Sequence, residues 1–114
     1  MCAAVTMIKA SPDFQRIARQ GRRWSGSAFI MQLLKTDDGS PFRLGLTASR
    51  KVGNAVIRNR AKRRLRELVR LQLKLRALAG FDLVIVAKTA AANHDFTAMN
   101  TDFETGLRAL KVLA

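Results

Sequence analysis

A chain of 114 residues with 48% hydrophobic residues suits one folded domain, spanning residues 1–114, with enough apolar material for a core. Its 21 lysines and arginines against 8 acids give a net charge of +13, so we expect a polyanionic partner: nucleic acid first, an anionic membrane surface second. The single cysteine, Cys2, excludes an internal disulfide and a cysteine-ligated zinc site and suits a reducing, cytoplasmic compartment, while no apolar run reaches the roughly 20 residues that span a bilayer.

The segment SPDFQRIARQG predicts the first helix, with Ser11 as its N-cap, Pro12 in the first helical position and Gly21 at its end. Apolar residues recur on one face at spacing i, i+3, i+4: Phe14, Ile17 and Ala18. By this pattern alone, Phe14 is favoured as a core residue.

The basic connector Gly21–Ser27 contains Trp24, for which two roles stay open: stacking on a base, or half-buried structural packing. Two strands are predicted next, Ala28–Lys35 and Arg43–Ser49, and the second alternates as a strand with one buried face does. The turn-forming residues between them, Thr36–Pro41, favour a hairpin.

A long helix is predicted from Asn54 or Ala55 to about Ala79, ended by Gly80. At roughly 100° per residue, its core side comprises Ile57, Ala61, Leu65, Leu68 and Leu75. The opposite side is polar and comprises Arg58, Asn59, Lys62, Arg63, Arg66 and Arg70.

Positive charge is concentrated around this helix. From Arg50 to Arg76 there are eleven lysines and arginines and one acid, Glu67, so this stretch carries 11 − 1 = +10 of the chain's +13. These charges repel one another, which is easier to understand if a polyanion neutralises them. The loop before the helix adds Arg50 and Lys51 beside free N–H groups, an arrangement that suits one backbone phosphate.

The nearly unbroken apolar run Phe81–Lys88 is typical of a strand buried on both faces, and with the preceding strand and helix it predicts a βαβ unit with parallel strands. A last amphipathic helix is predicted at roughly Phe96–Leu113. Its core residues are Phe96, Met99, Phe103, Leu107 and Leu110.

The sequence contains no catalytic constellation. The only histidine, His94, is predicted in a loop, and no carboxylate cluster has the spacing of metal ligands, so we predict neither a catalytic residue nor a metal site. Signatures of the common DNA-binding motifs and of the RRM are absent. The residues thus predict a basic α/β domain that binds nucleic acid through one helix, with RNA favoured and DNA left open.

The segment KVGNAVIRNRAKRRLRE, Lys51–Glu67, closely resembles the protein component of bacterial ribonuclease P, and Arg58-Asn59-Arg60 is similar to that family's RNR signature. The similarity continues through DFQRI, FIMQLL, RLGLTAS and DLVIVAK and covers nearly the whole chain. It implies an α/β fold, more closely an α+β two-layer sandwich. A mixed sheet of about four strands, three helices and a rare left-handed βαβ crossover are expected, similar to a domain of a small-subunit ribosomal protein.

The resemblance implies an accessory subunit of a ribonucleoprotein endonuclease. In that family a catalytic RNA uses Mg²⁺ to cleave the 5′ leader from precursor tRNA, while the protein alone is not catalytic. The expected partners are the catalytic RNA, in a 1:1 complex, and precursor tRNA, with no membrane and no required protein partner. Two alternatives stay open beside this one: a structural RNA-binding protein such as a ribosomal protein, and an autonomous nuclease, against which the missing catalytic constellation argues.

By the same resemblance, the catalytic RNA would contact Arg50, Lys51, Asn54, Arg58, Arg60 and Lys62. The leader would lie in a cleft between the first helix and the sheet, bordered by Phe14, Phe29, Asn59, Arg63 and Arg66. This role for Phe14 replaces the core position favoured above. Two family aromatics are absent, with Ala18 and Gln32 in their places, and the basic N-terminal tail is reduced to Lys9.

Overall fold

The computed structural model describes residues 6–36, 41–75 and 79–111, with the side chains of the long helix described through Leu73. In chain order the elements are β1 (Thr6–Met7), α1 (Ser11–Gln20), β2 (Arg22–Ser25), β3 (Phe29–Lys35), β4 (Arg43–Thr47), α2 (Ala55–Leu75), β5 (Phe81–Ala87) and α3 (Phe96–Ala109). Short 3₁₀ turns at Arg50–Val52 and Thr89–Ala92 precede α2 and α3.

The strands form one mixed sheet in the order β1-β4-β5-β3-β2. β5 pairs in parallel with β4 on one side and antiparallel with β3 on the other. The predicted hairpin between β3 and β4 is therefore wrong, because β5 lies between them; residues 37–40 of its turn lie outside the described residues. The central place falls to β5 because its run of buried apolar residues suits a strand covered on both faces.

The predicted fold class is confirmed: a mixed sheet with three helices, in which β4, α2 and β5 form the expected parallel unit. Its left-handed connection stays a prediction. The sheet has five strands rather than about four, because β1 adds a short edge and the connector around Trp24 is itself the strand β2.

The helices are divided between the two faces of the sheet. α2 and α3 pack on one face over the main core, which includes Phe29, Met31, Leu44, Leu65, Leu68, Leu83, Ile85, Met99, Phe103 and Leu107. α1 lies on the other face over a smaller cluster of Ile8, Ile17 and Val84, with Phe14, Leu34 and Val86 packed against it. Successive strand residues point to opposite faces, so Leu44 and Leu46 of β4 face α2 while Arg43, Gly45 and Thr47 face the α1 side.

The helix starts and ends differ from the predictions at three points. α1 begins at Ser11, with Ala10 rather than Ser11 in the N-cap position, although Gly21 ends the helix as expected. Ala79 is not helical, because it forms a β-bridge with Pro41. α3 stops at Ala109 instead of running to about residue 113, and its C-cap is residue 110.

Candidate nucleic-acid interface

The start of α2 is fixed by a glycine and an asparagine. Gly53 has φ 148°, a conformation that side-chain-bearing residues rarely adopt, and it turns the chain from the 3₁₀ turn into the helix. Asn54 then caps α2, since its Oδ1 accepts the Ile57 N–H at 3.0 Å. Arg50 and Lys51 are exposed just before this cap. The loop thus presents two cations at a rigid helix entrance, and Asn54, predicted to contact RNA, also has a capping role.

The apolar side of α2 matches its prediction wherever side chains are described. Ala61, Leu65 and Leu68 are fully buried and Ile57 is half-buried, while the side chain of Leu75 lies outside the described residues. Two further residues, Val69 and Gln72, are also buried. Gln72 Nε2 donates to Asn100 Oδ1 at 2.6 Å, which links α2 to α3. Packing and this hydrogen bond hold α2 through its apolar side.

We call the polar side of α2 the basic face; it comprises Arg58, Asn59, Arg60, Lys62, Arg63 and Arg66. Asn59, Arg60, Arg63 and Arg66 are exposed, whereas Arg58 and Lys62 are half-buried. Glu67 pairs instead with Arg70, at 2.9 Å. Within the described part of the chain, no ion pair involves a cation of the basic face. The protein therefore leaves these charges for something else to neutralise.

Arg64 lies beside the basic face but has a structural role that the sequence did not reveal. Its Nη1 donates to the Ala91 carbonyl at 2.8 Å and its Nη2 donates to the His94 carbonyl. The guanidinium also lies 6.0 Å from the centroid of the Phe96 ring. These contacts fix α2 to the segment that leads into α3, so this arginine serves packing rather than a partner.

The position of Arg64 also shows which flank of α2 faces the segment before α3 and which flank faces away from it. At about 100° per residue, Asn59 and Arg66 lie roughly 140–160° around the helix from Arg64. They point away from the segment before α3, on the flank opposite to it. Arg60 lies only about 40° from Arg64, on the near flank. The basic face thus has two sides, one near α3 and one away from it.

Phe14, on the other face of the sheet, is half-buried and lies against β4. A Cβ atom placed on Gly45 would be 2.5 Å from Phe14 Cε1 and 2.9 Å from Cζ, so only glycine allows this contact. The ring therefore rests directly on the strand backbone. We call the surface between α1 and the sheet, which Phe14 borders, the α1 cleft.

Four charged residues, the α1 ion-pair network, join α1 to the sheet: Asp13, Arg16, Arg43 and Asp82. Arg43 donates to both carboxylate oxygens of Asp82, at 2.9 and 2.6 Å, and Asp82 is only 1% exposed. From α1, Asp13 lies 3.7 Å from Arg43, and Arg16 lies 3.5 Å from Asp82. The hydrogen bond to Asp82 raises the pKa of Arg43, which therefore stays charged throughout the neutral range.

The sequence patterns did not predict this network, although one signal for it was present. Asp82 is the only charged residue within the apolar strand β5, and a buried carboxylate needs a partner. Arg43 occupies the directly opposite position on β4.

Phe29 does not line the α1 cleft, and that prediction is wrong. It is 0% exposed and packs in the main core, with its ring centroid 6.4 Å from that of Trp24 and 6.5 Å from that of Phe103. The period of two in β3 sends Phe29 toward α2 and α3, while Ile30 and Gln32 point to the α1 side. Trp24 is half-buried against the same core, so of its two open roles the structure shows structural packing.

The described residues show no arrangement for independent chemistry. Ser27 Oγ donates to Asp102 at 2.8 Å and lies 3.4 Å from His94 Nε2, so the carboxylate contacts the serine rather than orienting the histidine as in a catalytic triad. Within residues 6–36, 41–75 and 79–111, no group of His, Cys, Asp or Glu side chains is placed to hold a metal ion. In the same ranges, no helix is long and apolar enough to cross a membrane.

Comparison with known proteins gives a consistent result. A family model described as Ribonuclease P matches residues 4–111. The chain is 39% identical over 101 residues to the ribonuclease P protein component of Gluconacetobacter diazotrophicus, covering 89% of this chain and 87% of the relative. It is 42% identical over 97 residues to that of Symbiobacterium thermophilum, covering 85% and 84%. Its structure is similar to the Staphylococcus aureus RNase P protein, with a TM-score of 0.79, 29% identity and coverage of 97% and 100%.

Proposed function

The chain belongs to the ribonuclease P protein family, and from that premise we propose how its surfaces divide the RNAs of the holoenzyme between them. It is a protein subunit of ribonuclease P, the endoribonuclease that matures the 5′ end of tRNA, and its partners are in general the ribonuclease P RNA and precursor tRNA. The residues that meet each RNA are the substance of the proposal.

The catalytic RNA contacts the N-terminal end of α2, through Arg50, Lys51, Asn54, Arg58, Arg60 and Lys62. The observation that carries this assignment is the basic face, whose cations have no ion pairs within the described residues. Arg58 also keeps its buried Nε without a hydrogen-bond partner there. Because Arg58 and Arg60 lie about 160° apart around the helix, the RNA contacts both flanks of the first turns of α2 rather than lying along one flank.

The 5′ leader follows the α1 cleft and contacts Phe14, Asn59, Arg63 and Arg66. α1 and α2 are on opposite faces of the sheet, so a single strand of RNA must cross an edge to meet both. The outer edge of β4 offers such a crossing, since β1 pairs only with Arg43 and Leu44 and no described strand pairs beyond them. Phe14 lies on Gly45 next to this open edge, and a half-buried aromatic ring suits stacking on a base.

The remaining features of the holoenzyme follow the family. One protein binds one RNA, in the cytoplasm, without another protein. Mg²⁺ is held by the RNA, which supplies the chemistry of hydrolysis, and the described residues offer no carboxylate cluster that would compete for it. The protein supplies positive charge and position.

Reconstitution tests this function. Adding the purified chain to catalytic RNA and precursor tRNA at low Mg²⁺ is expected to stimulate removal of the leader. Failure of a folded chain to stimulate cleavage would contradict the proposal, and so would cleavage by the protein without RNA. Copurification with ribosomes, rather than with one RNA of a few hundred nucleotides, would favour a ribosomal protein instead.

A second test asks whether α2 uses different residues for the leader and for the catalytic RNA. Asn59→Ala or Arg63→Ala should weaken binding of leader-containing substrate more than binding of mature tRNA. Arg60→Ala should weaken assembly with the catalytic RNA instead. Equal effects of these variants in both assays would show that the two sets of residues do not act separately.

A further inference from the structure

We infer that Gly45 and Arg43 are positioning residues for the leader: they determine where Phe14 sits without touching the RNA themselves. This inference rests on the proposed contact between Phe14 and the leader. Both residues lie on the α1 side of β4, two positions apart, and each meets a different part of the first turn and a half of α1. Gly45 sets the depth of the ring, and Arg43 sets the place of the helix.

The role of Gly45 is steric. The Phe14 ring occupies the space where any Cβ at position 45 would lie, with 2.5 and 2.9 Å to its two nearest ring atoms and 3.2 Å to Val84 Cγ2. An added methyl group cannot move Val84 away, because Val84 belongs to the central strand and is 2% exposed. The half-buried ring is the part free to yield, so an alanine at this position would lift Phe14 off the sheet.

The role of Arg43 is electrostatic. Its guanidinium is held by the buried carboxylate of Asp82 through two hydrogen bonds, which fixes its position on the sheet. From that position it attracts Asp13, the residue directly before Phe14, at 3.7 Å. Arg16 completes the link by approaching Asp82 at 3.5 Å and Asp13 at 3.4 Å. The turn of α1 that carries Phe14 is thus tied to two strands.

Such a link matters because α1 has little else to hold it. Ile17 is its one fully buried residue, within a cluster far smaller than the core beneath α2 and α3. Without the pairs, the helix can shift over the sheet at low cost, and the ring shifts with it. The basic face of α2 would be unaffected, because it is supported by the other face of the sheet.

The experiment measures leader preference in the reconstituted holoenzyme, defined as the Kd for mature tRNA divided by the Kd for leader-containing substrate. Phe14→Ala should lower this preference about tenfold, the loss expected for one base stack. Gly45→Ala and Arg43→Ala should lower it by a similar factor, while affinity for the catalytic RNA stays unchanged. Arg43→Lys, which keeps the charge but not the paired hydrogen bonds, should recover part of the loss.

Double variants separate positioning from a merely structural effect. If Gly45 and Arg43 act through Phe14, then Gly45→Ala/Phe14→Ala and Arg43→Ala/Phe14→Ala should lose no more preference than Phe14→Ala alone. In addition, Gly45→Ala should lower the urea midpoint of the native chain more than that of the Phe14→Ala chain, in which only the 3.2 Å contact with Val84 remains.

Two control variants match these changes. Gly106→Ala introduces a similar clash, against Met31 and Trp24 on the opposite face of the sheet, and should lower stability with leader preference unchanged. Arg108→Ala removes one exposed positive charge from α3 and should change neither.

The outcomes distinguish two failures. If Phe14→Ala lowers leader preference but Gly45→Ala and Arg43→Ala do not, or if the double variants show additive losses, the positioning inference is overturned while the leader contact stands. If Phe14→Ala itself leaves the preference unchanged, the leader contact is wrong and the inference falls with it.

Discussion

The two faces of the sheet are covered by different kinds of interaction. α2 and α3 close one face over a broad apolar core, and α2 needs none of its basic face to stay in place. α1 closes the other face over a small apolar cluster and depends on the α1 ion-pair network. Because apolar packing holds α2, its cations remain available to RNA. Because the apolar cluster beneath α1 is small, charged residues help to hold that helix on the sheet.

This contrast explains why net charge alone does not identify a binding surface. Arg43 and Arg63 contribute equally to the total of +13, yet Arg43 has two carboxylates within 4 Å and Arg63 has none among the described residues. Arg64 makes the same point inside one helix, since it is adjacent to Arg63 in sequence but bonded to backbone carbonyls. The partner of each cation, rather than its type, separates structure from function.

The largest effect should come from the apolar core beneath α2. Leu65→Ala is expected to destabilise the fold by about 4 kcal/mol, since a fully buried leucine leaves a cavity that the layers around it cannot fill. Ile17→Ala, at an equally buried site beneath α1, should cost only about 2 kcal/mol, because this short helix can settle into the space. Urea unfolding of both variants measures the difference. A larger loss at Ile17 would reverse the contrast between the faces.

The next effect should come from the ion pairs. Arg43→Ala leaves the buried carboxylate of Asp82 with only the more distant Arg16, and should cost about 3 kcal/mol. Arg63→Ala, an exposed change of the same type, should stay within about 0.5 kcal/mol. Urea unfolding of the pair is the measurement, and equal losses would show that the network does not hold α1.

The direction of the Arg43 pKa shift determines how the contribution of the Arg43–Asp82 pair to stability depends on pH. The pKa of Arg43 is raised in the folded state, so the stabilisation is complete below the usual arginine range and is lost only as the pH rises through the folded pKa. Titration of Arg43 should therefore add no change in stability near neutral pH. A steep change in the urea midpoint of the native chain as the pH rises above neutral would contradict this.

A smaller effect is expected on the basic face. Arg60→Ala should weaken binding of the catalytic RNA about tenfold and reduce the slope of log K against log salt by about one, as the loss of one phosphate contact predicts. Protein stability should not change. Binding titrations at several salt concentrations check this, with Arg108→Ala as the control for net charge. An unchanged slope would show that Arg60 does not meet a phosphate.

The smallest effect should come from Glu67. Glu67→Gln removes the exposed ion pair with Arg70, whose contribution to stability should be within about 0.5 kcal/mol. A loss well above this in urea unfolding would mean that the exposed side of α2 takes part in holding the helix.

The sequence predicted the elements whose patterns are local. The 3.6-residue period located the buried side of α2, and the apolar run of β5 identified a strand covered on both faces. Prediction from the sequence failed where strand order and side-chain pairing depend on segments far apart in the chain. Turn residues after β3 gave no sign that β5 would insert between β3 and β4, and the Arg43–Asp82 pair joins residues 39 positions apart.

The position of Phe29 was also mispredicted, because the sequence did not show which face of β3 lies toward α1. β3 is apolar on both sides, so its alternation does not tell which side faces α1, and the family pattern placed Phe29 in the cleft. The polar Gln32 was the available clue, because it marks the side with the smaller core. The contact of Gly45 with the Phe14 ring could not be predicted, since a glycine in a strand is consistent with several backbone arrangements.

The central claim is that the α1 cleft meets the 5′ leader while the start of α2 meets the catalytic RNA, and directed cleavage tests it directly. With Cys2 replaced by serine, an iron chelate is tethered in the holoenzyme either through Ala18→Cys on the exposed side of α1 or through Val56→Cys, at a site 71% exposed at the start of α2. The account predicts radical cleavage within the 5′ leader from position 18 and within the catalytic RNA from position 56. Absence of cleavage in the catalytic RNA from position 56, or absence of leader cleavage from position 18, would contradict it.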